Sequence, residues 1–240
     1  DLALYQAKAR GRGQWAMYEP AMHAAVVERV ALEGALRQGL ARGEFFVEYQ
    51  PIVALPSGAL AGVEALVRWR HPERGLVSPG AFVPLAEETG LIRPLGRWVL
   101  EAACRQGARW AAEGAAAGAP PCSVSVNVSG RQLEDAGFLH DVATALHDSG
   151  LAPHELTLEV TETVLLSNPA ATRARLEAVR ALGVRVAVDD FGTGYSSLTS
   201  VRHLPLDVLK IDKAFTRGLA ADATQRALTD TVVRLAHALG

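Results

Sequence analysis

The chain has 240 residues, 49% hydrophobic and 21% charged, with a formal net charge of −2. That length and composition suit a single large α/β globular domain and carry no electrostatic footprint of a nucleic-acid polymer or a membrane surface. No run approaches the roughly 20 apolar residues of a membrane span. Cys104 and Cys122 form neither a metal-binding spacing nor a disulfide framework, so reduced structural thiols in a cytoplasmic setting are expected. The sequence opens on Asp1 without a methionine and reads as a fragment whose upstream part could carry a signal or membrane segment.

Residues 1–18 read as a helix, a Gly-Arg-Gly turn and a short strand, and residues 21–42 as a helix suited to linking domains. Residues 45–53 and 60–69 are strand-like, separated by a Pro-Ser-Gly turn. A loop is expected over residues 70–80, then helices over 81–92 and 95–114, then an Ala/Gly/Pro-rich surface loop. From residue 123 a regular beat sets in, with strands at 123–129, 156–161, 184–189 and 207–211, each followed by a helical pattern. Strands and helices alternating at about 30-residue spacing mean βαβ units and a parallel sheet, which a doubly wound fold and a (β/α)₈ barrel both satisfy.

Each of these strands carries a polar residue between aliphatic neighbours. Glu64 lies between Val63 and Ala65, Asn127 between Val126 and Val128, Glu159 between Leu158 and Val160, and Lys210 between Leu209 and Ile211. Lys210 is one of only three lysines, with Lys8 and Lys213. Strand side chains alternate, so the aliphatic neighbours face helices and the polar residues face the other way, which in a barrel is the interior. Arg68, four residues beyond Glu64, shares its face.

The run VRVAVDDFGTGYSSL, residues 184–198, ends a strand in the paired acids Asp189 and Asp190 before a Gly-rich loop. Asp190 as a turn residue and Asp189 as a helix cap account for the pair taken alone. Carboxylates converging from several strands repel one another unless a cation compensates them, and an all-oxygen set suits Mg²⁺, Mn²⁺ or Ca²⁺ rather than zinc. Asp189 could bridge two ions with Asp190 on the second, the arrangement used for in-line displacement at phosphorus. Lys210 and Arg68 then serve as phosphate- or nucleophile-positioning cations, the alternative for Lys210 being a buried ion pair with Asp189 or Glu159.

These segments resemble the EAL domain family of cyclic di-GMP phosphodiesterases. The resemblance rests on EALVRW from Glu64 with Gln50-Pro51-Ile52 before it, SPGAFVPLAEETGL from Ser78, SVNVS from Ser125, ELTLEVTE from Glu155, DDFGTGYSSL from Asp189 and LKID from Leu209. It implies a (β/α)₈ TIM-like barrel with an antiparallel first strand, and hydrolysis of cyclic di-GMP to linear pGpG with two Mg²⁺ or Mn²⁺ ions. By motif position it implies Glu64, Asn127, Glu159 and Asp189 as metal ligands, Asp190 on the second ion, and Lys210 orienting the attacking water. It also implies Gln50 and Arg68 as substrate contacts, with Glu162 tethering a loop over residues 191–197 that takes part in homodimerisation. For Glu162, the capping of the next helix is the alternative.

Residues 1–19 resemble the end of a GGDEF domain, so the expected organisation is a GGDEF remnant over 1–19, a linker helix over 20–42 and an EAL domain over 43–240. GGDEF and sensory domains are expected upstream. The family pattern continues into two further strands that this sequence lacks, so an incomplete barrel is expected, inactive or poorly stable by itself. The competing readings are a catalytically silent cyclic di-GMP receptor, an oligomerisation module, and an enolase-like enzyme using Lys210 as a base.

Overall fold

The computed structural model describes residues 20–118, 121–192, 204–219 and 222–239. The expected GGDEF remnant, and all but the first two residues of the 191–197 loop, lie outside the described residues. The chain divides into two units, one of described residues up to 46 together with 68–91, the other of residues 47–67 together with 92–239.

In the first unit, helix α1 (Pro20–Arg42) precedes the start of strand β1 (Phe45–Val53), and the end of strand β2 (Leu60–His71) is followed by β3 (Gly75–Val77) and α2 (Pro79–Thr89). Leu36, Trp69 and Phe82 are wholly buried. Phe45 stacks on Trp69 with centroids 5.3 Å apart, and both meet the edge of Phe82 at 5.7 Å. The Trp69 indole N–H donates to Glu44 Oε2 at 3.0 Å, so the buried ring keeps its polar atom satisfied. The loop expected over 70–80 contains β3, which turns back on β2 with Trp69 opposite Val77 and His71 opposite Gly75. Three residues are too few to show an alternating pattern, and the tight turn ahead of Gly75 masks them further.

In the second unit the remaining strands are β4 (Ser123–Asn127), β5 (Leu156–Thr161), β6 (Arg185–Phe191) and β7 (Val208–Ile211). The helices between and after them are α3 (Ile92–Ala116), α4 (Gly130–Leu133), α5 (Phe138–Ser149), α6 (Glu162–Ser167), α7 (Pro169–Ala181), α8 (Lys213–Thr216) and α9 (Ala223–Leu239). Two expected single helices are each broken in two, the second at the Asn168-Pro169 step, where proline supplies no N–H and Asn168 caps the helix that follows. The outward valines of β4 pack under α3 and those of β6 under α7, while α5 packs on α3; Val124, Leu156, Val186 and Val188 are at 0% exposure.

The sheet runs β1-β2-β4-β5-β6-β7, with β3 beside β2. Pairs β2–β4, β4–β5, β5–β6 and β6–β7 are all parallel. The connection from Val53 to Leu60 is too short for a crossover, so β1 is antiparallel to its neighbour β2. Strands follow one another across the sheet in chain order without the reversal that defines a doubly wound fold, which decides between the two expected architectures. The fold is an α/β, TIM-like barrel with an antiparallel first strand, and among the described residues the barrel is incomplete, running from β1 to β7.

Candidate active site

Parallel register sets the site. Glu64 is level with Ser125 across β2–β4, Asn127 with Glu159 across β4–β5, and Thr161 with Asp189 across β5–β6. These polar positions share the strand phase opposite the aliphatic residues that pack under the helices, as the alternation predicts. On β6 the ladder to β7 slips between Val188, opposite Leu209, and Phe191, opposite Ile211. Asp189 and Asp190 together therefore face the single residue Lys210. Asp190 takes φ = 54°, the left-handed conformation. A β-bulge re-aims side chains in this manner, and it delivers two adjacent carboxylates to one end of the sheet. Asp190 thus lies within β6 at the bulge, beside the cluster, and not in a turn.

Lys210 Nζ is the hub. It lies 3.0 Å from Glu64 Oε2 and 3.3 Å from Asp189 Oδ2, and it also donates to Glu159 Oε2. The Asn127 amide donates to Glu64 Oε1 at 2.8 Å, which leaves its carbonyl oxygen as an acceptor. One oxygen each from Glu64, Glu159 and Asp189 lie within 4.8 Å of one another, a spacing compatible with one shared cation. Glu159 is 2% exposed. Burial pushes its carboxyl above the ordinary value, against the pull of the Lys210 ammonium, and the Ser125 hydroxyl also donates to it. Burial pulls Lys210 down, but its hydrogen bonds to Glu159 and Glu64 and their charges outweigh that and raise it, so the ammonium form persists at neutral pH.

The donor set fits a divalent ion. Three carboxylates and an amide oxygen are hard ligands of the kind Mg²⁺ and Mn²⁺ take, and three facing carboxylates outnumber the one lysine among them.

Asp190 is exposed and its pKa is raised by burial of its carboxyl, by the charge of Asp189 and by a hydrogen bond with Asp212. Asp212 is held low, chiefly by the Ala214 backbone N–H it caps at 2.7 Å. Asp212 and Ser125 escaped the sequence reading. The signal for Asp212 is its place two residues past Lys210, on the same strand phase; that for Ser125 is its place two residues before Asn127.

Glu162 is 3% exposed and accepts the Gly192 backbone N–H at 2.9 Å, at the first turn of α6. Its carboxylate reaches the described start of the 191–197 loop; Glu162 is the first residue of α6, whose N-cap is Thr161 with no side-chain cap hydrogen bond. Gln50 is exposed on β1, and Arg68 is half-buried on β2. Cys104 and Cys122 are free thiols; burial pushes Cys104 up to about 12 and raises Cys122, which keeps both protonated and unreactive. No helix among the described residues is long and apolar enough to cross a membrane.

Over 239 residues the chain is 43% identical to the bifunctional diguanylate cyclase/cyclic di-GMP phosphodiesterase MucR of Pseudomonas aeruginosa, covering 100% of this chain and 34% of that protein. It is 37% identical to the cyclic di-GMP phosphodiesterase PdeR of Escherichia coli over 239 residues, covering 100% of this chain and 35% of that protein. The chain spans about a third of the length of the curated relatives it matches. Among solved structures, a PaMucR phosphodiesterase in complex with c-di-GMP superposes with a TM-score of 0.81 at 44% identity, covering 87% of this chain and 83% of that one. The EAL domain model matches residues 33–240, and with the strand order and the in-register acids already described, this chain belongs to the EAL domain family.

Proposed function

We propose that the chain is the hydrolytic unit of a cyclic di-GMP phosphodiesterase, opening the cyclic dinucleotide to linear pGpG. The observation that carries this reading is the convergence of Glu64, Glu159 and Asp189 on the Lys210 ammonium, in a family whose relatives here bear that activity in their names. Glu64, Asn127, Glu159 and Asp189 would hold one Mg²⁺ or Mn²⁺ ion, and Asp189 with Asp190 a second. Bound in pairs, such ions lower the pKa of water and offset charge on both the attacking and leaving oxygens.

The chain's own residues supply the rest. Water adds to phosphorus, one P–O ester bond breaks, and the water's proton leaves for the freed sugar oxygen. Lys210 stays cationic through this exchange, orients the water and contacts the phosphate. Arg68 and Gln50 hold the substrate, Arg68 through a guanidinium fork suited to phosphate oxygens. Glu162 keeps the β6 exit in place through Gly192. A second copy of the chain, meeting it at the 191–197 loop, and upstream GGDEF and sensory domains complete the proposed setting.

The test is cyclic di-GMP hydrolysis with Mn²⁺ by the full-length protein beside Glu64→Ala. Linear pGpG from the unsubstituted protein alone supports the reading. Binding of the nucleotide without turnover replaces it with the receptor.

A further inference from the structure

The exits of β6 and β7 touch at three successive levels. Lys210 meets Asp189 at 3.3 Å, Asp212 hydrogen-bonds with Asp190, and Phe215 closes against Gly192. At the third level a Cβ built on Gly192 would stand 2.6 Å from Phe215 Cε2 and 2.7 Å from Cζ, so the far edge of the ring lies directly against that backbone. Gly192 has φ = 98°, which L side chains rarely adopt. The Gly192 N–H is itself held by the buried Glu162 carboxylate at 2.9 Å. The ring has its own anchor, because the Phe215 carbonyl accepts the Thr229 hydroxyl of α9 at 2.7 Å, and the neighbouring Ala214 carbonyl accepts from Gln225 at 2.9 Å.

We propose that Phe215 is a positioning residue that clamps Gly192 against Glu162, fixing the bulge that aims Asp189 and Asp190 at the metal site. The clamp is short-range. Asp190 is two residues from Gly192 and already holds a left-handed φ, so a backbone free to relax at 192 changes the direction of both carboxylates. The inference rests on the metal-dependent phosphodiesterase reading, but part of its test does not depend on turnover.

Two substitutions separate clamping from simple packing. Phe215→Leu keeps apolar bulk but withdraws the ring edge from Gly192, whereas Phe215→Met restores the reach with a flexible chain. The readouts on the full-length protein are Mn²⁺ affinity without nucleotide, by calorimetry, and kcat, KM and melting temperature. Phe215→Leu is expected to weaken Mn²⁺ binding and lower kcat by roughly tenfold each, as loss of a support behind metal ligands does, with KM for the nucleotide changed less than about twofold. Phe215→Met recovers most of both. Gly192→Ala, approaching the same contact from the other side, reproduces the Leu phenotype. Unchanged Mn²⁺ affinity and kcat in Phe215→Leu overturn the proposal, as does a Met variant that falls as far as the Leu variant. A protein that binds Mn²⁺ but hydrolyses nothing overturns the phosphodiesterase reading alone, and the Mn²⁺ affinity of Phe215→Leu still decides the clamp.

Discussion

Lys210 Nζ donates to Glu64 Oε2 at 3.0 Å, a contact between the second and the last described strands that spans 146 residues of sequence. Without a divalent ion, that ammonium is what keeps three facing carboxylates tolerable. Lys210→Met is therefore expected to destabilise the metal-free protein at neutral pH by about 3 kcal/mol, the cost of leaving buried charge without its partner. Added Mn²⁺ should raise the melting temperature of Lys210→Met more than that of the unsubstituted protein, because the ion takes over the role of the ammonium. Equal Mn²⁺ shifts in both proteins would show that Lys210 and the ion do not share the site.

Glu159 carries the opposite liability. Burial raises its folded-state pKa above the unfolded value near 4.5, so its contribution to stability is full below about pH 4.5 and is lost as pH rises through the raised value. Glu159→Gln removes that titration. Relative to the unsubstituted protein without metal, the Gln variant should gain stability between pH 4 and pH 7 while losing hydrolysis. Denaturant unfolding at the two pH values measures it, and a stability difference that does not change with pH rejects it.

Metal binding and protons compete for the same oxygens. The raised Glu159 and Asp190 carboxyls hold protons at a pH where ordinary carboxylates have released them. At limiting Mn²⁺, the acidic limb of the activity profile should thus lie above the usual carboxylate range and move to lower pH as Mn²⁺ is raised. Mn²⁺ titrations at several pH values follow this movement. A limb that stays fixed at every Mn²⁺ concentration assigns it to another group.

Much of the site was legible because burial on one strand face leaves a two-residue period, and Glu64, Asn127, Glu159 and Lys210 each interrupt an aliphatic run in that period. Strand order was not legible from periodicity, since the same βαβ beat serves a doubly wound sheet; the motif resemblance implied the barrel, and the pairing of β2 with β4 and of each later strand with the next bears it out. Asp190 was ambiguous because paired acids before a Gly-rich loop suit a turn as well as a cation site, and a β-bulge inside the strand leaves no signal in spacing. Asp212 and Phe215 were hidden because their partners, Asp190 and Gly192, lie on another strand's exit, where sequence spacing carries no information about contact. The short β3 was hidden by its length.

A last expectation concerns the support of Asn127. Two residues beyond it, Ser129 and Gln132 form a reciprocal cap that starts α4, with Ser129 N–H donating to Gln132 Oε1 at 3.2 Å and Gln132 N–H to Ser129 Oγ at 3.3 Å. Gln132 is 7% exposed and fits only because residue 96 on α3 is glycine: a Cβ there would stand 1.8 Å from Gln132 Nε2. Gly96→Ala must displace the Gln132 side chain, losing about 1 kcal/mol of capping and adding roughly 1–3 kcal/mol of overpacking. Gln132→Ala alone loses the cap but opens the space. The double variant should then cost little more than Gln132→Ala by itself, a coupling that a urea-denaturation cycle resolves. Strict additivity of the two substitutions would mean that Gln132 is not what the missing side chain at 96 makes room for.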